Sequence, residues 1–316
     1  MERSRKRKLQ APKPSPVKSE IVENKDNAAS ESVNGLYPTH PRPTPEECRA
    51  VRDDLLALHG FPPEFAKYRS RKLKENPTSS TDAAGSSPPP PPPPSLSLSL
   101  PSVKSEPREN GEDEAETVLD GLVSILLSQN TTDANSTRAF ASLKRAFPTW
   151  EDVHAAESKC IENAIKCGGL AGRKASCIKN LLKALLEKNG KICLEYLRDM
   201  SVEEIKAELC HYKGIGPKTV ACVLMFHLQQ DDFPVDTHVF RITKAIGWVP
   251  GQADREKAYL HLNKRIPNEL KFDLNCLFVT HGKLCHMCGK KGHNQQRISC
   301  GRPCPLSKYF CSTNLK

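Results

Sequence analysis

Apolar residues recur at helical spacing through the second two-thirds of the chain. Steps of three and four residues place apolar side chains on one face of a helix. This spacing begins at Leu119, Leu122, Val123, Leu126 and Leu127. Further amphipathic helices are predicted at 136–147, 158–166, 171–189, 201–211, 218–229, 237–246, 254–265 and 269–280. Because Val and Ile never alternate with polar residues over a strand length, the pattern predicts an all-α domain over residues 115–284.

The first 43 residues are polar and irregular, and we expect a disordered basic tail. The basic cluster at 3–8 is typical of a nuclear-import signal or a weak nucleic-acid contact, or of a tail that only solubilises the chain. It predicts a nuclear protein.

One helix is predicted before the main domain, within a helical element at 44–74. Thr44 is a suitable N-cap, and Pro45 suits the first helical position. The apolar face of this helix is expected to dock on the main domain. Residues 75–114 form a Pro- and Ser-rich linker that cannot pack a core and that offers a site for a protein partner.

Charge and cysteine content narrow the class of protein. The net charge of +10 indicates a polyanionic partner, double-stranded DNA before membrane. The chain has no apolar run long enough to span a membrane and no apolar stretch of a secretory signal at its start. Its 13 cysteines are therefore expected to be reduced thiols and metal ligands. We expect a monomer.

The most informative segment is a predicted pair of helices joined by a tight hairpin turn, over residues 202–229. Its turn contains Gly214, Ile215 and Gly216, and glycines let backbone N–H groups face a DNA phosphate. Ile215 would pin the turn between the helices, although a purely structural αα-turn has the same sequence. Pro217 starts the second helix, and Thr219 is a further candidate DNA contact in its first turn.

Two charged residues near this turn are candidates for chemistry. Lys218 lies in the first turn of a helix, where the positive dipole disfavours an ammonium and favours the neutral amine of a nucleophile. Asp236 follows an extended Phe-Pro-Val segment and is the natural N-cap of the next helix, where a carboxylate stays ionised. The alternatives are an exposed surface lysine and a simple capping aspartate.

The motifs Gly-Ile-Gly-Pro-Lys-Thr and Val-Asp-Thr-His-Val-Phe-Arg resemble the helix–hairpin–helix (HhH-GPD) DNA glycosylase superfamily, in particular its endonuclease III branch. The segments 126–140, 165–200 and 247–250 extend the resemblance, the latter two toward plant DEMETER-type 5-methylcytosine glycosylases. It covers about 115–311 and implies a two-lobed helical fold that flips a nucleotide out of the duplex. The resemblance implies that Lys218 attacks the sugar and forms a Schiff base, with Asp236 stabilising positive charge on the sugar.

The same resemblance suggests further site residues. Gln129 and Asn130 lie where the family places a side chain that fills the gap left by the flipped base, although polar capping of the loop explains them equally. His238 matches the motif's usual histidine, and we expect it to orient the local backbone rather than transfer protons.

Five cysteines near the C-terminus, within the segment 285–316, predict a metal site. The resemblance implies a [4Fe–4S] cluster bound by Cys285, Cys300, Cys304 and Cys311, but the spacing departs from the family pattern. Zinc is the alternative, with Cys288 and His293 as further ligands.

Together these features predict a base-excision glycosylase, expected to be bifunctional as glycosylase and lyase and to remove oxidised pyrimidines. The alternatives are a 5-methylcytosine glycosylase and a non-catalytic DNA-binding module.

Overall fold

The structure, a computed structural model, describes residues 36–69, 116–289 and 303–310. These residues form helices and no strand, which confirms the all-α prediction. The predicted linker and most of the predicted tail lie outside the described residues. The α-helices are α1 (Pro45–His59), α2 (Val118–Ser128), α3 (Asp133–Ala146), α4 (Trp150–Ala155), α5 (Ser158–Ala164), α6 (Ala171–Asn189), α7 (Val202–Cys210), α8 (Pro217–Phe226), α9 (Thr237–Ala245), α10 (Arg255–Arg265) and α11 (Asn268–Leu284).

Local capping explains where several helices begin. Thr44 caps α1 and forms a capping box with Glu47, and Pro217 occupies the first position of α8 as the sequence predicts. The short helix α4 was not predicted, although Thr149 and Asp152 form a capping box at its start. Six residues are too few for helical periodicity to be visible, so the capping box was the only local signal.

The helices pack around two hydrophobic cores, which makes the molecule two-lobed. The first core takes its buried side chains from α2 to α8, and the leucines predicted on the face of α2 are all in it. The second core joins α1, α9, α10 and α11 with Cys304 and Leu306 near the C-terminus. The chain therefore leaves one lobe after α8 and enters the other before α9.

Helix α1 docks on the second lobe, as its apolar face predicts. Cys48, Val51 and Leu55 are fully buried against the core that contains Leu277 and Phe278 of α11. This contact brings the N-terminal part of the described chain beside its C-terminal part.

The prediction of a disordered tail is wrong for residues 36–43. The ring of His40 shares a hydrogen bond of 3.0 Å with the Gly247 carbonyl, and Arg265 donates to the His40 carbonyl at 3.2 Å. His261 contacts the Arg42 carbonyl at 2.7 Å. These partners come from distant positions, so no local pattern could show that they order this segment.

A small aromatic cluster lies between the lobes. Phe226 at the end of α8 stacks on Phe65 with ring centroids 5.6 Å apart, and it meets Phe272 of α11 edge to face. Lys206 of α7 also pairs with the buried Asp232 at 3.2 Å.

No described helix is long and apolar enough to cross a membrane.

Candidate active site and metal centre

The turn between α7 and α8 has the geometry of a phosphate-binding hairpin. Gly214 has φ +97°, and a Cβ there would lie 2.5 Å from the Cys177 sulfur, so only glycine fits. Ile215 is 5% exposed and packs into the first core. The N-terminus of α8 opens to the surface beside the exposed Gly214 and Lys218, and its positive end favours an anion.

Lys218 and Asp236 come from different lobes, and the charges of both reach one buried thiol, that of Cys222. Lys218 is exposed in the first turn of α8, whereas Asp236 is half-buried at the start of α9. Burial raises the pKa of the Cys222 thiol, the positive charge of Lys218 lowers it, and the negative charge of Asp236 raises it. Both charges therefore lie within electrostatic reach of the same sulfur.

Asp236 is held in place by its own helix and by two asparagines. Its Oδ1 accepts hydrogen bonds of 2.8 Å from the backbone N–H groups of His238 and Val239, as the N-cap prediction requires. The extended segment before it is anchored by Asn263, which exchanges hydrogen bonds with the backbone of Phe233. The buried Asn275 donates to the Pro234 carbonyl at 2.7 Å.

His238 attaches α9 to α11. Arg241 donates to His238 Nδ1 at 3.3 Å, and a Cβ on Gly282 would lie 2.6 Å from the Cβ of His238. Burial lowers the pKa of His238, and the nearby Arg241 acts in the same direction, so the ring is neutral at neutral pH. These contacts give His238 a role in helix packing beside the candidate site.

Gln129 and Asn130 lie at the end of α2, close to α8. The Gln129 amide donates to the hydroxyl of Thr219 at 3.3 Å, and the half-buried Gln129 thereby contacts the first turn of α8. Thr219 is 4% exposed, so its side chain faces Gln129 rather than solvent. Asn130 is exposed and has φ +52°.

A second loop lies beside this one and contains a residue that the sequence did not single out. Leu170 is 54% exposed and has φ +50°, an unfavourable combination for a leucine. The buried Lys174 donates to the carbonyls of Leu127 at 2.7 Å and Gly168 at 2.8 Å, so one ammonium joins the Gln129 and Leu170 loops. The sequence could not single out Leu170, because a leucine just before a helical pattern looks like any other apolar residue of that helix.

The cysteine-rich end contains a potential metal site. His281, Cys285, Cys288 and Cys304 each place one ligand atom so that all four atoms lie within 4.8 Å of one another. His281, Cys288 and Cys304 are buried, as in closed structural sites.

The structure brings together part of the predicted ligand set and adds one residue. Cys285 and Cys304 meet Cys288, which was the alternative ligand, whereas Cys300, Cys311 and His293 lie outside the described residues. His281 was not a candidate, because a single histidine inside an amphipathic helix is ordinary. The four described ligands have the spacing of one shared ion and do not fit a [4Fe–4S] cube, which presents a separate iron to each thiolate.

Comparison with known proteins agrees with this geometry. The model of the HhH-GPD superfamily base excision DNA repair proteins matches residues 123–268. A putative DNA glycosylase of Arabidopsis thaliana is 56% identical over 91% of this chain and 94% of its own length. Endonuclease III of Thermotoga maritima is 30% identical over 62% of this chain and 90% of its own. The Arabidopsis DNA glycosylase/AP lyase ROS1 is 32% identical over 45% of this chain but only 12% of its own length. The chain is a member of the HhH-GPD superfamily of base excision DNA repair proteins.

Proposed function

We propose that this protein is a bifunctional DNA glycosylase and lyase that excises a damaged base from double-stranded DNA. The observation that carries the proposal is that Lys218 lies in the first turn of α8 in one lobe and Asp236 caps α9 in the other, with the charges of both reaching the buried Cys222 thiol. A module that only binds DNA needs neither residue, and a carboxylate facing a phosphate backbone opposes binding.

DNA would lie across the lobe junction. The Gly214–Gly216 turn would bind a phosphate through backbone N–H groups, and the net charge of +10 would strengthen the contact. Gln129 or Asn130 would fill the space left by a flipped nucleotide, while the exposed Leu170 would wedge between bases of the duplex.

The chemistry requires a neutral amine and a permanent carboxylate. Lys218 Nζ would attack the sugar C1′, and the bond from C1′ to the base would break as the base leaves with its electron pair. Asp236, held by its two backbone hydrogen bonds, would stabilise positive charge on the sugar. Opening of the sugar ring would give a Schiff base, and loss of a C2′ proton would expel the 3′ phosphate and nick the strand.

Borohydride trapping on duplex DNA with an abasic site tests the lyase step. Reduction of a Schiff base gives a stable covalent adduct, so we expect an adduct from wild type and none from Lys218→Gln. Lys213→Gln is the matched control, because Lys213 is an exposed lysine of the same hairpin. Folded wild-type protein that gives no adduct would rule out the lyase proposal, and retained binding would then favour a non-catalytic module.

For the substrate we propose oxidised pyrimidines, because the similarity to endonuclease III spans 90% of that relative. The local similarity to ROS1 favours a second candidate, 5-methylcytosine. Single-turnover excision from duplexes that contain thymine glycol or 5-methylcytosine distinguishes the two. Excision of 5-methylcytosine alone would overturn the first proposal.

We also propose that the protein acts as a monomer in the nucleus. The basic cluster at 3–8, which lies outside the described residues, supports this localisation. A fluorescent fusion that loses nuclear accumulation when residues 3–8 are replaced by Ser or Gln would support the proposal, and unchanged accumulation would contradict the role of the cluster.

A further inference from the structure

The four ligand atoms at the cysteine-rich end lie within 4.8 Å of one another, close enough to share one ion. The Cys288 and Cys304 sulfurs lie 3.8 Å apart, and the Cys304 sulfur lies 3.4 Å from His281 Nε2. With Zn–S bonds of about 2.3 Å, two sulfurs on one tetrahedral zinc lie about 3.8 Å apart. Thiolates on a cubane must lie farther apart, since each binds a different iron.

The elements that supply the ligands are fixed by their own hydrogen bonds. His281 and Cys285 lie one turn apart at the end of α11, where the Cys285 N–H donates to the His281 carbonyl at 2.8 Å. The Gly289 N–H donates to the Cys285 carbonyl at 2.7 Å and closes a turn around Cys288. Cys304 precedes the short 3₁₀ helix Pro305–Tyr309, which packs in the second core.

The second ring nitrogen of His281 has a partner from the far end of the chain. His59, the last residue of α1, places Nε2 2.9 Å from His281 Nδ1, and the two residues are 222 positions apart. A metal-bound histidine is normally oriented by a hydrogen bond to its other nitrogen. The contact leaves His281 Nε2 directed at the thiols, which is the orientation that an ion requires. With its proton on Nδ1, His281 would donate to His59 Nε2 and leave Nε2 free to bind the ion.

We propose that His281, Cys285, Cys288 and Cys304 bind one structural Zn²⁺, in place of an iron–sulfur cluster, and that His59 of α1 orients the histidine ligand. The site also touches the candidate catalytic helix. Arg241 of α9 donates to the Cys288 carbonyl at 2.7 Å and to His238 at 3.3 Å. The ion therefore supports the helix that Asp236 caps. The proposal does not depend on the proposed function.

Metal analysis of the full-length protein tests the site directly. We expect about one zinc per chain, no acid-labile sulfide, and visible ligand-field bands of tetrahedral cobalt after exchange with Co²⁺. Bound iron with sulfide and a brown chromophore would overturn the proposal, and so would purification of folded protein without stoichiometric zinc.

Single variants decide which residues bind the ion. Cys288→Ser and His281→Gln should lose zinc, whereas Cys300→Ser and Cys311→Ser should retain it. If a [4Fe–4S] cluster is bound by Cys285, Cys300, Cys304 and Cys311 instead, the Cys300 and Cys311 variants should lose the metal. The Cys288 and His281 variants should then retain it. Cys210→Ser, at an exposed cysteine outside the site, is the control for thiol loss.

Two further variants separate ligand loss from misfolding. His281→Cys restores a fourth ligand and should retain zinc, whereas His281→Gln should lose it. Equal zinc content in the two variants would show that His281 is not a ligand. His59→Ala should keep the fold and weaken zinc affinity by about 10- to 100-fold, as outer-shell partners do. The control is His154→Ala on α4, outside the second core. An equal zinc affinity of His59→Ala and His154→Ala would show that His59 does not orient the ligand.

Discussion

At the scale of single residues, Asp236 combines a structural and an electrostatic role. Its carboxylate caps α9 through two backbone hydrogen bonds, and its charge acts on the thiol beside Lys218. Asparagine is as good an N-cap as aspartate, so substitution can separate the two roles.

We predict that Asp236→Asn keeps the stability of the protein within about 0.5 kcal/mol and lowers the excision rate at least about 100-fold. Asp236→Ala should show the same loss of rate and lower the free energy of unfolding by about 1 kcal/mol, because the cap is lost. Urea unfolding and single-turnover excision measure the two effects. A substantial excision rate in Asp236→Asn would show that the carboxylate only caps the helix.

At the scale of the elements, the buried Lys174 and the half-buried Glu208 hold the loops of the candidate site. Lys174 of α6 joins the end of α2 to the turn before Leu170. Glu208 of α7 accepts hydrogen bonds from Tyr196 at 2.8 Å and Tyr212 at 2.9 Å, and it pairs with Lys188. Tyr212 immediately precedes the hairpin turn.

We predict that Lys174→Met lowers the free energy of unfolding by about 2 kcal/mol or more, because two carbonyls lose their buried donor. DNA binding should weaken as well, since the Gln129 and Leu170 loops are no longer joined. Lys183→Met on the same helix is the control, because Lys183 is exposed and pairs with Glu187 at the surface. Equal stability of the two variants would show that the two hydrogen bonds contribute nothing.

Glu208 should make the first lobe sensitive to acid. Burial raises the pKa of this carboxyl, but hydrogen bonds from Lys188, Tyr196 and Tyr212 outweigh it and hold the pKa below the usual 4.5. A carboxyl whose pKa is lower in the folded than in the unfolded protein stabilises the fold at a pH above its unfolded-state pKa. This stabilisation is lost as the pH falls through its folded-state pKa.

We predict that Glu208→Gln is less stable than wild type by about 1.5 kcal/mol at pH 7, the value typical of hydrogen bonds to a charged group. The difference should shrink as the pH falls below about 4.5, where the wild-type carboxylate becomes protonated. Urea unfolding across this range measures it. A difference that is independent of pH would mean that the charge of Glu208 is not involved.

At the scale of the whole molecule, the second lobe connects the metal site to the candidate active site. Gly282 allows α11 to approach His238 of α9, and Arg241 joins α9 to the turn at Cys288. A change in the spacing of these two helices would move Asp236 relative to Lys218 in the other lobe.

We predict that Gly282→Ala lowers the free energy of unfolding by about 1–3 kcal/mol, because its Cβ would overlap the Cβ of His238, a rigid atom. The excision rate should fall with it. Gly172→Ala in α6 is the control, since its Cβ would meet Glu162 no closer than 3.7 Å. That variant should be unchanged or stabilised by up to about 1 kcal/mol, the helix preference for alanine. If Gly282→Ala and Gly172→Ala have the same free energy of unfolding, the close approach of α9 and α11 does not contribute to stability.

The sequence alone determined the longer helices, the hairpin turn and the cap at Asp236. These features depend on residues within one or two turns of each other, where apolar spacing, Pro217 and capping side chains act locally. Tertiary structure decided that the charges of Lys218 and Asp236, from two lobes, reach one buried thiol, that residues 36–43 are ordered, and that Leu170 stands exposed. It alone brought His281 and His59 to the cysteines, because a contact over 222 positions arises from the docking of α1 on α11 and leaves no local pattern.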